Sequence, residues 1–256
     1  MRVVVGGMAF ALNVVSSAAA GPVDTAKALW LRGDCASAFR TVKPLAEQGD
    51  PAAQQLLSGI YGAGCPGLLK DALSMIYWLR QAADQGFVGA ETDLGFLFDQ
   101  QDPVHQDLLQ SLFWFRKAAD QGDALAQWVF AIRYEKGHGA PRDLTQALYC
   151  YRKAADQNED VAKTHLGALY ARGEGVPKND IEAFKWFRAV GSAYGPAYYH
   201  LGVSYENGRG VARDYNRALT HYDEAAHRSY SPASYALGLM YLKGGGVKRD
   251  RAQALA

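Results

Sequence analysis

An Asp or Asn recurs seven times along this chain at a nearly constant interval. The residues are Asp34, Asp71, Asp107, Asp143, Asn179, Asp214 and Asp250, separated by steps of 37, 36, 36, 36, 35 and 36 residues. A single globular core does not require such regularity, whereas a stack of similar supersecondary elements does. The interval therefore predicts a repeat protein that binds through an exposed surface, rather than a catalyst with a buried pocket.

Other residue types return with the same interval and predict two helices in each repeat. An aromatic residue recurs at Tyr61, Phe98, Tyr134, Tyr170, Tyr205 and Tyr241. Ala197, Leu201 and Tyr205 are four residues apart, which places them on one face of a first helix. A glycine loop such as Gly173-Glu174-Gly175 follows, because glycine adopts the left-handed conformation that ends many helices. The recurring Asp or Asn then begins the second helix.

The recurring Asp is best explained as the N-cap of the second helix. Its carboxylate can accept hydrogen bonds from backbone N–H groups of the first turn, which stabilises each helix by ~1 kcal/mol. Three residues later a Gln or Glu recurs, at Gln110, Gln146, Glu182 and Gln253, and predicts a capping box. Catalysis by these acids is disfavoured, because seven evenly spaced acids along a repeat array have no common substrate.

Small residues in the first helix predict close packing between helices. Gly95, Gly167, Gly202 and Gly238 lie mid-helix, where glycine costs ~1 kcal/mol relative to alanine. We expect the Ala-Ala pairs of the second helix, such as Ala118-Ala119, to pack against them. The tryptophans of the second helices are expected to fill the space between neighbouring repeats, although a row of tryptophans can also bind a ligand. They are Trp78, Trp114 and Trp186.

These positions together resemble the Sel1-like repeat (SLR), a relative of the tetratricopeptide repeat. One repeat carries the pattern almost throughout, with Ala162, Leu166-Gly167, Tyr170, Gly173-Glu174-Gly175-Val176, Ala183 and Trp186. The resemblance implies an all-α fold, a right-handed α-solenoid of antiparallel helix pairs of about 36 residues. It implies a degenerate helix pair over 21–48 and tandem repeats over 49–256, five complete and a sixth truncated at the C-terminus. We expect the last ~25 residues to fray, because the short final helix covers little of its neighbour.

The first twenty residues have the composition of a secretory signal peptide. Arg2 precedes an apolar stretch from Val3 to Val15, and Ala18-Ala19-Ala20 provides a cleavage site before Gly21. Residues 1–20 are therefore predicted to direct export, which makes the protein periplasmic or secreted. No other stretch approaches the ~20 apolar residues that a membrane-spanning helix needs, so no membrane span is predicted.

Export places the cysteines in an oxidising compartment. Cys35 lies at the start of a second helix and Cys65 in the loop of the following repeat, and loops on one edge of adjacent repeats are neighbours. A disulfide between Cys35 and Cys65 is therefore predicted, and it would contribute ~3 kcal/mol. Cys150 occupies a tryptophan position within a helix and is predicted to be a buried free thiol.

Composition and motifs argue against two other function classes. The chain has 27 basic and 26 acidic residues and a formal charge of +1, without the basic excess typical of a nucleic-acid-binding protein. Its six His residues are scattered, with no zinc-binding spacing and no G-x-S-x-G motif. We predict no catalytic residue, no metal and no cofactor, and therefore a protein that is not an enzyme.

By similarity to tetratricopeptide repeats, the first helices line the surface that binds a partner. Counting from the recurring aromatic selects Thr92, Phe96, Asp99, Trp128, Ile132, Glu135, Tyr199, Val203, Glu206, Tyr235, Leu239 and Leu242, with the small residues Thr164 and Ala168 between them. This surface is apolar and aromatic with acidic points, which suits an extended or helical peptide carrying apolar anchors and some basic charge. Alternatively, several of these side chains pack only against the next first helix.

Two hypotheses of function follow. In the first, the protein is a non-enzymatic scaffold or adaptor of the bacterial cell envelope that binds a protein or peptide. In the second, it binds cell-wall glycan or an exported polysaccharide through stacked aromatic side chains. Peptide crosslinks at Trp128 and Tyr199 would favour the first hypothesis, and quenching of tryptophan fluorescence by a soluble glycan would favour the second.

Overall fold

The computed structural model describes residues 3–5, 8–10, 21–99, 107–191, 194–244, 246–252 and 254. The α-helices are α1 (Pro22–Leu31), α2 (Cys35–Glu47), α3 (Pro51–Ala63), α4 (Ala72–Asp84), α5 (Val88–Phe98), α6 (Leu108–Asp120), α7 (Ala124–Lys136), α8 (Leu144–Asp156), α9 (Asp160–Arg172), α10 (Asp180–Arg188), α11 (Gly195–Asn207), α12 (Tyr215–His227) and α13 (Ser231–Lys243). None of the helices in these residues is both long and apolar enough to cross a membrane.

Two short strands lie in the segment predicted to be a signal peptide. Strand β1 (Val3–Val5) pairs antiparallel with strand β2 (Met8–Phe10), with Val4 opposite Ala9. The remainder of residues 1–20, including the predicted cleavage site, lies outside the described residues. The signal peptide stays a prediction.

From α1 onward, the prediction of successive helix pairs is confirmed. Odd-numbered helices are the first helices of each pair and even-numbered helices are the second, and helices such as α3 and α4, or α11 and α12, pack together. The described residues form two compact units. The N-terminal unit contains the residues up to Ala126 with His138–Ala140, and the C-terminal unit contains Gln127–Gly137 and the residues from Pro141 onward.

The recurring Asp and Asn residues cap the second helices, as the sequence predicts. In α8, for example, the Asp143 carboxylate accepts hydrogen bonds from the N–H groups of Thr145 and Gln146. The same bond is made by Asp34, Asp71, Asp107, Asn179, Asp214 and Asp250. The starts of six helices, α2, α4, α6, α8, α10 and α12, are thus fixed by an Asp or Asn, because a short side-chain oxygen at this position satisfies otherwise unpaired donors.

The predicted capping box is wrong for the described repeats, and the backbone explains why. The N–H of the cap residue donates instead to the carbonyl oxygen of the recurring aromatic, as from Asp143 to Tyr134 at 3.0 Å. The same bond joins Asp71 to Tyr61, Asp107 to Phe98, Asn179 to Tyr170, Asp214 to Tyr205 and Asp250 to Tyr241. Since this donor is already satisfied, the side chains of Gln110, Gln146 and Glu182 are not needed there; Gln253 lies outside the described residues.

Glycines end the first helices where a left-handed residue is required. Gly173 follows α9 with φ 73° and ψ 34°, and its N–H donates to the carbonyl of Leu169. A side chain there would be strained, because residues with a Cβ rarely adopt this conformation. The glycine loop therefore fixes the direction in which the chain leaves the first helix for the second.

The mid-helix glycines pack against an aromatic ring, which corrects the expectation of Ala-Ala pairs. A Cβ at Gly167 would lie 2.6 Å from the Phe187 ring, and one at Gly202 would lie 2.6 Å from the Tyr222 ring. Gly95 stands in the same relation to Phe115. In each case the ring is the residue directly after the tryptophan position, and it is buried. The glycine is required because the ring occupies the volume of its missing side chain.

The tryptophans are less uniform than predicted. Trp114 is buried, whereas Trp78 and Trp186 are only partly buried. The largest fully buried side chains of the second helices lie one residue later and include Leu79, Phe115 and Tyr151. Hence the core between helices is formed mainly by the position after the tryptophan.

A polar contact at a fixed place connects the end of the second helix to the first helix in three successive repeats. The amide of Gln85 donates to Gln54, that of Gln121 to Glu91, and that of Gln157 to Gln127, at 2.6–3.0 Å. In the next repeat, the ammonium of Lys163 donates to the Ala189 carbonyl at 3.1 Å. These bonds satisfy polar groups that are buried between the helices, where an unpaired group would be costly.

The helix pair over residues 21–48 consists of α1 and α2 and is attached to the first repeat by a disulfide. Cys35 at the start of α2 is bonded to Cys65, with their Cα atoms 6.0 Å apart. Cys150 is a buried free thiol. A cross-link over 30 residues contributes ~3 kcal/mol by restricting the unfolded chain.

Candidate functional site

In the N-terminal unit, the predicted partner-binding residues are largely used in packing. Thr92 is buried, and the Phe96 ring packs edge-to-face on Phe115 with centroids 4.9 Å apart. Asp99 at the end of α5 is half-buried. Thr92 and Phe96 therefore follow the alternative prediction, in which the side chain packs within the fold.

A buried carboxylate lies beside this region. Asp93 on α5 accepts a hydrogen bond from the Gln55 amide at 2.6 Å. Burial raises the pKa of Asp93 to about 7, and the nearby Asp123 carboxylate raises it further, whereas the Gln55 bond opposes the shift. A neutral amide does not compensate the desolvation of the carboxylate, so the protonated form is stabilised relative to an exposed aspartate.

In the C-terminal unit, the predicted residues have varied environments. Trp128 and Ile132 on α7 are half-buried, and Thr164 and Ala168 on α9 are buried. The side chains near the end of the array are more open: Tyr235 is 71% exposed, Leu242 is exposed and Leu239 is half-buried. The remaining predicted residues lie either in a hydrogen-bonded pair, as Glu135 and Glu206 do, or in the wall of a cleft, as Tyr199 and Val203 do.

Glu135, at the end of α7, closes a contact that we call the closed junction, formed by Glu135, Tyr151 and His165. The Tyr151 hydroxyl donates to Oε2 of Glu135 at 2.5 Å, and Nδ1 of His165 lies 3.3 Å from the same oxygen. The His165 ring stacks on Tyr151, with centroids 5.1 Å apart and planes 9° apart. Arg172 completes the contact, with its guanidinium 3.3 Å from Oε1.

These partners determine the ionisation of the closed junction. Burial alone would raise the pKa of Glu135, but the hydrogen bonds of His165 and Tyr151 and the charge of Arg172 lower it to about 2. Burial and the neighbouring Glu135 carboxylate raise the pKa of Tyr151. Glu135 is therefore a carboxylate, and Tyr151 a neutral donor, at any physiological pH.

The second predicted glutamate is held in a similar way. The hydroxyl of Tyr222 donates to Oε2 of Glu206 at 2.6 Å. Both pairs, Glu135 with Tyr151 and Glu206 with Tyr222, are separated by sixteen residues. The acidic points expected to attract a basic partner are thus already hydrogen-bonded within the chain.

The repeat between these pairs lacks both members, and we call this place the open junction, formed by Ala171, Phe187 and His200. Ala171 replaces the glutamate and Phe187 replaces the tyrosine, again sixteen residues apart. The His200 ring stacks on Phe187, with centroids 4.6 Å apart and planes 6° apart, as His165 stacks on Tyr151. The packing of rings is therefore the same, but Ala171 brings no carboxylate to the place that Glu135 occupies at the closed junction.

A cleft of about 240 Å³ opens at the open junction. It is lined by Ala168, Ala171, Arg172, Asp180, Ala183, Phe187, Tyr199, His200, Val203, Ser204 and Arg209. Its walls belong to α9, α10 and α11, together with Arg209 of the following glycine loop. Three of these residues were predicted from the sequence to lie on the first-helix surface, namely Ala168, Tyr199 and Val203.

The charges around the cleft differ in how they are compensated. Arg172 contacts Glu135 and Glu174, and Asp180 lies 3.6 Å from the ammonium of Lys178. Arg209 is exposed, and no ion pair is found for it among the described residues. Burial lowers the pKa of His200 to about 4, with smaller contributions from Arg172 and His165, so its ring is neutral. The uncompensated charge at the cleft is therefore the positive charge of Arg209.

The open junction was not identified by sequence reasoning, although a signal for it exists. Glu135 and Glu206 were selected by their register, but their sixteen-residue pairing with Tyr151 and Tyr222 was overlooked. Comparing that pair of positions along the repeats would have singled out Ala171 and Phe187.

Comparisons with known proteins agree with this architecture. The Sel1 repeat model matches residues 51–87, 88–123, 124–159, 161–189, 195–230 and 231–256. No curated protein matches the chain in sequence.

Two solved structures resemble the chain over most of its length. A Sel1 repeat protein from Oxalobacter formigenes is 27% identical with a TM-score of 0.82, and the match covers 91% of this chain and 94% of that one. A protective antigen present in uropathogenic Escherichia coli strains, which displays an SLR fold, is 29% identical with a TM-score of 0.80. That match covers 92% of this chain but 52% of the antigen, so the chain spans about half the length of the antigen. On its repeats and its fold, the chain belongs to the Sel1 repeat family.

Proposed function

We propose that this protein is a non-enzymatic scaffold that binds a protein partner as a peptide at the cleft of the C-terminal unit. Sel1 repeat proteins generally mediate protein–protein interactions, and the family is generally a non-catalytic repeat scaffold. The observation that supports the proposal is the cleft, because Tyr199 and Val203, selected by register alone, lie on its wall. Apolar and aromatic walls with a few polar groups are typical of peptide-binding grooves.

Selection from a random peptide library on the immobilised full chain tests this proposal. Enriched peptides would be synthesised and titrated by fluorescence anisotropy against the parent chain and the Val203→Glu variant. We expect Val203→Glu to weaken binding at least about tenfold, since it places a charge in the apolar wall. The matched control is Leu109→Glu on α6, an exposed apolar residue of the N-terminal unit, which should leave binding unchanged. Failure to enrich any peptide, or equal effects of the two variants, would contradict the proposal.

We propose further that the scaffold works in the bacterial cell envelope. The disulfide between Cys35 and Cys65 supports this location, because such bonds persist in oxidising compartments. Mass spectrometry of the protein from envelope and cytosolic fractions is the test. A mature chain starting at Gly21 with the two cysteines oxidised is expected in the envelope fraction. An uncleaved, reduced chain confined to the cytosol would exclude this part of the proposal.

A glycan partner is the second candidate, and exposed rings on the second helices favour it. Tyr77 on α4 and Phe113 on α6 occupy equivalent positions in adjacent repeats and are 55% and 52% exposed. Flat aromatic faces of this kind can stack on sugar rings. Soluble cell-wall glycan should then quench tryptophan fluorescence, since Trp78 and Trp114 contact these rings. The Tyr77→Ala and Phe113→Ala changes should abolish the quenching, and an unquenched parent chain would exclude this candidate.

A further inference from the structure

The repeats themselves show which chemical group fits in front of the stacked rings. At the closed junction that group is the Glu135 carboxylate, held by the Tyr151 hydroxyl, His165 and Arg172. Two repeats further along, Glu206 occupies the position of Glu135 and accepts a hydrogen bond from the Tyr222 hydroxyl. Two repeats of the C-terminal unit therefore place a carboxylate at the same point.

The open junction keeps the surroundings of that carboxylate but not the carboxylate itself. His200 stacks on Phe187 as His165 stacks on Tyr151, and both histidines lie five residues before the recurring aromatic. Because Ala171 replaces the glutamate, the place in front of the rings is the cleft of about 240 Å³. The cleft is thus the volume that a side chain of this chain fills in the neighbouring repeat.

The charge at the cleft matches an incoming anion. Arg209 and Arg172 both line it; Arg209 has no ion pair among the described residues, whereas Arg172 also contacts Glu135. Of the carboxylates nearby, Glu135 is paired with the Arg172 guanidinium, and Asp180, which also lines the cleft, lies 3.6 Å from the ammonium of Lys178. Guanidinium groups bind carboxylates with charge-assisted hydrogen bonds, which are stronger than those between neutral groups.

We propose that the cleft at the open junction binds a carboxylate of the partner peptide, next to an apolar side chain that packs on Tyr199 and Val203. The partner supplies the carboxylate that the chain lacks at Ala171, and His200 and Arg209 hold it. This inference rests on the proposed function, because it names the chemistry recognised at the same cleft. An Asp or Glu side chain and a C-terminal carboxylate have this chemistry in common.

The library-selected peptides provide the first test. Each would be synthesised with every Asp or Glu changed in turn to Asn or Gln, and with a free or amidated C-terminus. We expect the loss of one carboxylate to weaken binding about tenfold or more, and Arg209→Gln to remove most of that difference. Which change weakens binding distinguishes a side-chain carboxylate from a C-terminal one. Peptides that bind the parent chain, are weakened by Val203→Glu and tolerate the loss of every carboxylate would overturn this inference while leaving the proposed function intact.

A second test needs no partner. Ala171→Glu places the missing carboxylate within the chain, and Ala171→Gln is the neutral control of the same shape. We expect the glutamate to raise the pKa of His200 by about one unit or more relative to the glutamine, because an adjacent negative charge favours the imidazolium. Proton NMR titration of the His200 ring measures the difference. The same Ala171→Glu variant should bind the selected peptides far more weakly than Ala171→Gln does. Equal His200 titrations in the two variants would overturn the inference.

Discussion

The closed junction at Tyr151 and the open junction at Phe187 share one packing arrangement and differ in one pair of side chains. At both, a ring from a second helix lies buried against the preceding first helix, and a histidine from the next first helix stacks on it. At the closed junction the tyrosine hydroxyl and Glu135 complete the contact. At the open junction, Phe187 and Ala171 leave a cleft.

This difference separates what stabilises a repeat from what is available for binding. Ring packing alone is enough to hold the open junction, since Phe187 is as buried as the rings of the other repeats. The hydrogen-bonded pair is therefore an addition that closes the surface. Where it is absent, the same fold presents a cavity, so the cleft arises from the loss of a carboxylate and a hydroxyl rather than from the addition of a new element.

The largest expected effect concerns what the two junctions have in common. Tyr151→Ala and Phe187→Ala should each lower the free energy of unfolding by about 3–5 kcal/mol, because each deletes a buried ring and leaves a cavity. Urea unfolding followed by circular dichroism measures both losses. A loss below about 1 kcal/mol at either junction would show that the two rings do not have equivalent roles.

The next effect belongs to the closed junction alone and depends on pH. The pKa of Glu135 is lowered in the folded protein from 4.5 to about 2. Its contribution to stability is therefore complete above pH 4.5 and is lost as the pH falls to about 2; at about 1.4 kcal/mol per pKa unit it is at most about 3.5 kcal/mol, and solvent screening of this incompletely buried group makes it smaller. The parent chain should lose this stability between pH 5 and pH 2 relative to Glu135→Gln. Parallel unfolding free energies of the two proteins over that range would contradict the prediction.

Exchange of the hydroxyl between the junctions has a smaller effect. Tyr151→Phe should cost about 1–2 kcal/mol, because Glu135 loses one donor but retains His165 and Arg172. Phe187→Tyr at the open junction is the mirror change, and we expect it to gain no stability because Ala171 provides no carboxylate at the glutamate position to accept its hydrogen bond. Thermal unfolding of both variants compares them. If Phe187→Tyr stabilised the protein by as much as Tyr151→Phe destabilises it, the cleft would already contain an acceptor for the hydroxyl.

The smallest effect is the coupling that would close the open junction. Ala171→Glu combined with Phe187→Tyr should be more stable than the two single changes predict, by about 1 kcal/mol, if the grafted pair forms the bond seen between Glu135 and Tyr151. A double-mutant cycle measures this coupling, and the double variant should also fail to bind the selected peptides. Zero coupling would show that the backbone at the two junctions differs more than their rings suggest.

The elements of the fold were predictable because they depend on residues close together in the chain. A cap residue such as Asp143 acts on N–H groups two and three residues away, and Gly173 acts on its own φ angle. The reciprocal half of the capping box was predicted wrongly, since the competing acceptor is the carbonyl of the recurring aromatic, nine residues earlier in the case of Tyr134 and Asp143. That competition depends on how the loop folds back, which the local sequence does not reveal.

For the candidate site, the sequence predicted which residues lie on the first-helix surface, but not which contacts their side chains make. Tyr199 and Val203 were placed on the first-helix surface by counting along the helix, and both line the cleft. Glu135 was placed on the same surface, yet its carboxylate is hydrogen-bonded by Tyr151, sixteen residues away. Helical periodicity gives the face on which a residue lies, but the partner across a helix pair depends on how the two helices are rotated and offset.

The sequence by itself determined the repeat interval, the helix pairs, the caps and the glycine loops. Each of these depends on backbone conformation within a few residues, where the chemistry of a single side chain decides the outcome. Only the tertiary structure decided that rings fill the space beside Gly167 and Gly202, and that a cleft opens where Ala171 and Phe187 replace a hydrogen-bonded pair. Packing between helices depends on the volume and partners of side chains distant in sequence, and a cavity is a property of all the residues around it rather than of any one.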